Sequence, residues 1–109
     1  MTQIVWDDHT GNVHITLRGH AEFAQQGESD IVFAGISMLV CTLNACITQY
    51  ETRGFLHPVC LKIEPGDVDI AFYVWNHRDT VSVMLDTIIT GFRLLQEKYP
   101  DNVRLEIKR

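Results

Sequence analysis

The sequence predicts one α+β domain in the element order ββαββαβ, with a mostly antiparallel sheet covered by two helices. Three observations predict this fold. The chain has 109 residues and is 46% hydrophobic, which is enough for one core but not for two domains. Apolar residues alternate with polar ones in five segments and recur at spacings of three and four in two others. Turn-forming residues separate the segments, and we expect a single domain over residues 1–109.

Two alternating runs open the chain and predict a β-hairpin. Their apolar positions are Ile4, Trp6, Val13, Ile15 and Leu17. Residues 7–12 between the runs are rich in turn formers, so we expect the turn there. The glycine-bracketed segment 19–29 follows neither period, which predicts a loop that is long for so small a domain.

The third segment predicts a helix from about Asp30 to Thr52. Ser29 or Asp30 can cap its start, and Gly54 lies just beyond its end. The first four turns are apolar on nearly all sides, so we expect this to be the buried central helix.

The second half of the chain predicts a hairpin, a helix and a last strand. Strands over residues 59–64 and 68–75 flank the turn sequence Pro-Gly-Asp at 65–67. Residues 79–99 have the apolar spacing of an amphipathic helix, which ends before a proline. Residues 103–107 alternate between apolar and charged side chains, which is typical of an edge strand.

The charge balance narrows the classes of partner. Nine Lys and Arg against 14 Asp and Glu give a formal net charge of −5, which argues against a nucleic-acid surface and leaves a basic protein segment possible. The first residues lack the positive start and apolar run of a secretory signal, and no uninterrupted run of 18 apolar residues exists. We therefore expect a cytoplasmic protein without a membrane segment.

The three cysteines do not have the spacing of a metal site. Cys41 and Cys46 lie five positions apart and Cys60 stands alone, and the histidines show no ligand spacing with them. In the cytoplasm these side chains remain thiols. We expect no metal, and small core residues are the simplest interpretation of the cysteines.

One arrangement has the chemistry of a thiol site. A histidine ends a predicted strand, a glycine-bracketed loop follows, and the N-terminus of an apolar helix comes next. A helix N-terminus and a nearby imidazole both lower the pKa of a thiol, and the imidazole can also relay a proton. The first helical turn, residues 31–34, nevertheless contains no cysteine.

Short motifs surround this arrangement and also close the chain: Gly19-His20-Ala21, Gly27, the run DIVxAGxS over residues 30–37 and the run YPxNVRL over residues 99–105. Together they resemble the ribosomal-processing cysteine protease family called Prp. The resemblance covers nearly the whole chain, including its length and the order of its elements.

The resemblance implies a role for each matching position. His20 matches the catalytic base of the family, and Phe33 stands where the family has its cysteine nucleophile. Asp30 and Ser37 match polar positions beside that nucleophile, while the matching Gly19, Ala21 and Gly27 belong to the strand end and the loop that closes over substrate. The family is implied to be homodimeric, to need no cofactor, and to remove a short N-terminal extension from a large-subunit ribosomal protein.

Two functions remain open at this point. With Phe33 in place of a thiol, the chain would be a homologue that binds the N-terminal tail of a ribosomal protein, or an active paralogue, without cutting. Alternatively, it would be an active peptidase that uses Ser37 or another thiol. Cys41 lies eight helical positions beyond Phe33, roughly 12 Å at 1.5 Å per residue, outside hydrogen-bond reach of a base at the first turn. Acidic residues Glu22 and Glu28 near the loop would attract a basic tail, or are simply solvated.

Overall fold

The computed structural model of the chain describes residues 1–19 and 31–109, and within them it shows seven elements. The strands are β1 (Thr2–His9), β2 (Asn12–Arg18), β3 (Leu56–Glu64), β4 (Asp67–Val74) and β5 (Val103–Lys108). The helices are α1 (Ile31–Thr52) and α2 (Arg78–Lys98). This order confirms the predicted ββαββαβ arrangement.

The five strands form one sheet in the order β3-β4-β2-β1-β5. Three neighbouring pairs are antiparallel, and β1 pairs in parallel with β5, beginning at Thr2 opposite Val103. The sheet is therefore mostly antiparallel, and β5 is an edge strand, as the sequence predicts.

The turn of the first hairpin is shorter than the sequence suggests. His9 pairs with Asn12, so only Thr10 and Gly11 form the turn, with φ of 51° and 86°. Positive φ at both central residues is the geometry that matches the twist of a two-residue hairpin. The expectation of a turn over all of residues 7–12 is wrong, because Asp7 pairs with His14 and continues β1.

The second hairpin also starts earlier than predicted. β3 begins at Leu56, three residues before the expected start, and its pairing with β4 is irregular between Pro58 and Cys60. Proline is tolerated there because β3 lies at the edge of the sheet. The tight turn at Pro65-Gly66, where Gly66 has φ of 70°, is as expected.

Both helices pack on the same face of the sheet, and the core lies between the two layers. Trp6 on β1 meets Phe92 on α2 edge to face, with ring centroids 6.4 Å apart. The helices approach each other closely at two glycines: a Cβ on Gly91 would lie 2.5 Å from Leu39 Cδ2, and one on Gly35 would lie 3.2 Å from Leu95 Cδ2. Small residues at these positions let α1 and α2 share one side of the sheet.

The expectation that α1 is the buried central helix is wrong. Its buried side chains form a single stripe, made of Val32, Ile36, Val40, Leu43 and Ile47. Met38 and Cys41 are exposed, because α1 belongs to an outer layer and contacts the rest of the fold from one side. Its 22 residues include an 18-residue window with a mean hydropathy of 2.0, so by length and composition α1 is apolar enough to cross a membrane, a property that it shares with apolar core helices of soluble proteins.

The other face of the sheet carries a network of paired charges. Lys62 Nζ lies 2.7 Å from an Asp67 carboxylate oxygen, and Arg18 Nη1 lies 3.1 Å from the other. The hydrogen bond from Lys62 lowers the pKa of Asp67, and the same bond raises the pKa of Lys62. His14 Nε2 lies 2.7 Å from Asp69 Oδ1. These charges stabilise one another at the surface.

Candidate functional site

A pocket of about 160 Å³ lies between the first half of α1 and the sheet end that carries the β3–β4 turn. Its helical wall consists of Phe33, Ile36, Ser37, Val40 and Cys41. Its opposite wall consists of Thr2, Leu17, Gly19, Ile63, Glu64, Pro65, Gly66 and Val68. Most of these residues present hydrocarbon, so the pocket suits an apolar side chain of a ligand.

The helical wall depends on a spacing of four residues. Phe33, Ser37 and Cys41 follow one another at that interval, which places them on one face of α1. Phe33 and Ser37 are half-buried, whereas Cys41 is exposed. The Ser37 hydroxyl forms no hydrogen bond with the residues that the structure describes.

Gly19 follows the end of β2 and ties it by hydrogen bonds to two other parts of the same pocket wall, Thr2 and Gly66. Its N–H donates to the carbonyl oxygen of Gly66 at 2.9 Å, and its own carbonyl accepts a bond from the Thr2 hydroxyl at 3.3 Å. Its φ is 90°, and a Cβ there would lie 2.5 Å from the Met1 carbonyl oxygen. Only glycine meets both demands, so the end of β2 is held at the pocket by a residue that cannot be replaced without strain.

The structure places three of the predicted site residues, Gly19, Phe33 and Ser37, around the same pocket. The others, His20, Ala21, Gly27 and Asp30, lie outside the described residues, as do the acidic Glu22 and Glu28. The pairing of His20 with position 33 therefore stays a prediction.

Sequence reasoning missed the second wall of the pocket. Ile63, Pro65 and Val68 belong to a hairpin about thirty positions away from Phe33, and no local motif marks them. Cys41 lies far from the first turn of α1, but its four-residue spacing from Ser37 places it on the same face of the helix and signals its position at the pocket. Cys60 is not at the pocket: it lies in β3 with its thiol 3.5 Å from the Asp69 carbonyl oxygen.

The pocket can bind, but its chemistry is limited. Ser37 contributes a hydroxyl and Cys41 a thiol, while Phe33 contributes a ring without any group that can attack a peptide bond. Within residues 1–19 and 31–109, no group of three or more His, Cys, Asp or Glu side chains could hold a metal ion.

Comparison with known proteins identifies the family. The family model described as cysteine protease Prp matches residues 1–104. The chain belongs to the Prp family. Membership confirms the resemblance inferred from the motif that contains Gly19, His20 and Ala21. No curated protein gives a significant match.

Solved structures show the same fold. The essential ribosomal processing protease Prp from S. aureus, in complex with a covalently linked product peptide, is 24% identical with a TM-score of 0.74. The same protease in complex with a substrate peptide is 22% identical with a TM-score of 0.68. Both matches cover 99% of this chain and 100% of the other. A Streptococcus mutans protein, SMU.848, is 18% identical with a TM-score of 0.62, covering 99% and 97%.

Proposed function

We propose that this Prp-family chain binds an extended peptide at the pocket beside α1 and does not cleave it. One observation carries the proposal: the pocket wall at position 33 is a phenylalanine ring. The resemblance assigns the family nucleophile to this position. A benzyl group offers no lone pair for attack, and it fills more space than the CH₂SH group of cysteine.

The large loss of catalytic turnover expected without a nucleophile supports a binding role. Removing the nucleophile of a well-studied serine protease lowers its turnover on the order of a millionfold. A comparable loss here would leave no useful processing, whereas an apolar pocket keeps its affinity for an apolar side chain without a nucleophile.

The proposed ligand is the N-terminal tail of a large-subunit ribosomal protein, or an active paralogue. Support comes from the S. aureus protease, which has been solved with a substrate peptide and with a covalently linked product peptide. The net charge of −5 favours a basic ligand electrostatically. The proposal places the protein in the cytoplasm, where ribosomal proteins are made, and it requires no cofactor.

A homodimer is part of the same proposal. α1 has no charged residue from Ile31 to Tyr50, and an apolar groove lies between its outer side and α2. Met38 and Leu94 are exposed at this groove. In a two-fold contact, residues near the symmetry axis lie close to their own copies, so the uncharged surface of α1 avoids self-repulsion there.

A second candidate function is cleavage by another nucleophile. Ser37 and Cys41 line the same pocket as Phe33, and this shared location is the observation in its favour. Serine requires a well-placed base and oxyanion donors before it attacks a peptide bond. We therefore rank cleavage second.

Incubation with the extended ribosomal protein separates the two functions. The purified chain is mixed with that protein, the product is analysed by mass spectrometry, and binding is measured by fluorescence anisotropy with a labelled peptide of the extension. We expect binding and no shortened product. A shortened product with the unaltered chain would refute the non-cleaving function.

Three variants identify the residues responsible for any cleavage that is observed. Loss of cleavage in Ser37→Ala, but not in Cys41→Ser, would assign the nucleophile to the hydroxyl, and the reverse result would assign it to the thiol. Cleavage that persists in His20→Ala would remove the role of the family base. Absence of both binding and cleavage would refute peptide recognition itself.

A further inference from the structure

The two edges of the sheet differ in how they are protected against another strand. β5 has six residues, and its exposed side chains are the charged Arg104, Glu106 and Lys108. Charge of this kind is the common defence of a free edge. β3, at the opposite edge, has nine residues and exposes the apolar Val59, Leu61 and Ile63 in addition to the charged Lys62 and Glu64. An edge with exposed apolar side chains is suited to pairing with an added strand.

Only part of β3 is open to pairing. Pro58 lacks an N–H, and the irregular pairing at this point leaves Val59 outside the ladder with 74% of its surface exposed. Beyond it, residues 60–64 pair regularly with β4. On their outer side, no strand among the described residues is hydrogen-bonded to them. This five-residue stretch is therefore a free edge about 16 Å long at 3.3 Å per residue.

The free edge runs directly into the pocket. Ile63 and Glu64 end β3 and at the same time form part of the pocket wall, together with Pro65. Leu61 and Ile63 lie opposite Ile70 and Val68, so they project toward the helical side of the sheet, the side of the pocket. A strand placed along residues 60–64 would therefore lead one of its side chains to the pocket.

We propose that the peptide bound by this protein adds to the sheet as a sixth strand along residues 60–64 of β3, with an apolar side chain in the pocket. The proposal rests on the proposed peptide-binding function and specifies its backbone recognition. Main-chain hydrogen bonds to β3 supply affinity that does not depend on sequence, and the pocket supplies selectivity.

The electrostatics favour an extended basic peptide over a second copy of the chain as the occupant. Glu64 lies at the pocket end of the edge, and its one ion pair among the described residues, with Lys62, spans 4.0 Å. Lys62 is held instead by Asp67 at 2.7 Å, which leaves Glu64 with little compensation. In an antiparallel contact between two β3 edges centred on Lys62, the two Lys62 side chains would lie close together, which is unfavourable.

Hydrogen exchange measured with and without peptide tests the strand directly. The probe is a synthetic peptide that comprises the N-terminal extension of the large-subunit ribosomal protein. We expect alternate amides in residues 60–64 to gain protection at saturating peptide, while amides of β5 do not change. Binding by anisotropy without protection at β3 would overturn the added strand and leave the peptide-binding function intact. Absence of binding would overturn both.

Backbone N-methylation of the peptide provides a test that leaves the protein unaltered. A methyl group at a position that pairs with β3 removes one hydrogen bond and should weaken binding on the order of two- to tenfold. The next position, whose N–H points away, should tolerate it. Loss of affinity that alternates along the peptide is the expected result, and equal losses at neighbouring positions would refute strand pairing.

A pair of matched variants locates the contact on the protein. Leu61→Lys places a charge on the free edge, and Val83→Lys makes the same kind of change at an exposed apolar position of α2. We expect the first variant to weaken binding about tenfold, which corresponds to 1.4 kcal/mol, and the second to have no effect. Equal affinities in folded samples, as verified by circular dichroism, would contradict the assignment. Protection of residues 60–64 that depends on protein concentration without peptide would instead assign the edge to a second copy.

Discussion

The two helices lie on the same face of one sheet but differ in what their apolar residues do. α2 carries charged residues along its length, among them Asp79, Asp86 and Lys98, and its apolar stripe is buried in the core. α1 has no charge from Ile31 to Tyr50, yet it too buries only one stripe. α1 therefore has more apolar surface than the core uses.

The surplus on α1 coincides with the candidate functional surfaces. The half-buried Phe33 lines the pocket, and the exposed Met38 and the half-buried Leu39 line the groove between the helices. On α2, the surface away from the core is mostly polar. Apolar residues that the core does not bury therefore mark the surfaces where we expect this protein to bind a ligand or a second copy.

The largest effect is expected for the buried phenylalanine of α2, and it is best measured against the half-buried phenylalanine of α1. Phe92 on α2 is 1% exposed, so Phe92→Ala should lower the free energy of unfolding by about 3–5 kcal/mol. Phe33 on α1 is only half-buried, so Phe33→Ala should cost about 1 kcal/mol or less. Urea denaturation followed by tryptophan fluorescence measures both. Equal losses would show that Phe33 serves the core and would remove the contrast between the helices.

A cysteine at position 33 should show whether the start of α1 activates a thiol. In Phe33→Cys, the helix N-terminus and an imidazole at His20 would lower the thiol pKa and speed alkylation near neutral pH up to about tenfold. The comparison is with Cys41, Cys46 and Cys60 in the same sample, resolved by peptide mass spectrometry. Labelling of the new cysteine no faster than that of the other three would contradict a former active site here.

A charge on the outer side of α1 tests the proposed homodimer. In a two-fold contact through α1, Met38→Glu places a negative charge on both sides of the interface. We therefore expect the dissociation constant of the dimer to rise tenfold or more, which corresponds to about 1.4 kcal/mol or more. Val83→Glu on α2 is the control, because Val83 is exposed to the same 67%. Light scattering coupled to size exclusion measures both. A monomeric parent, or dissociation in both variants, would remove α1 as the interface.

The smallest effect lies on the open face of the sheet, which neither helix covers. The lowered pKa of Asp67 contributes stability above its ordinary value of 3.8, and this contribution is lost as the pH falls through the lower folded value. The raised pKa of Lys62 contributes stability below 10.5, and this contribution is lost as the pH rises through the higher folded value. Asp67→Asn should therefore have a lower free energy of unfolding than the unaltered protein, mainly between pH 3.8 and pH 10.5. Urea denaturation at several pH values measures this difference. A difference that does not vary with pH would mean that the Lys62–Asp67 pair contributes nothing to stability.

Periodicity predicted α2 well and α1 only in part. The expected helix at 79–99 and the observed Arg78–Lys98 differ by one residue at each end, because both the apolar stripe and the proline stop are local signals. For α1 the extent was right but the burial was wrong. Apolar residues recur at helical spacing in α1, but no charge up to Tyr50 marks its exposed side, and its packing against the sheet decides that only Val32, Ile36 and the positions in line with them are buried.

The candidate site also has one wall that the sequence predicts and one that it does not. The motif and the four-residue spacing place Gly19, Phe33 and Ser37 without knowledge of the fold. The opposite wall, which includes Ile63 and Val68, is contributed by a hairpin that meets the helix only in three dimensions. Sequence spacing carries no information on such a contact.

The element order and the family can be recognised without a structure, because periodicity, turn residues and short motifs are properties of neighbouring positions. Three features needed the three-dimensional contacts: the buried face of α1, the position of β3 at a sheet edge and the location of the pocket. These features depend on contacts between distant segments: Gly19 bonded to Gly66, and β3 left at the sheet edge next to α1. Their physical reason is the burial of apolar surface across layers, which no single segment can specify.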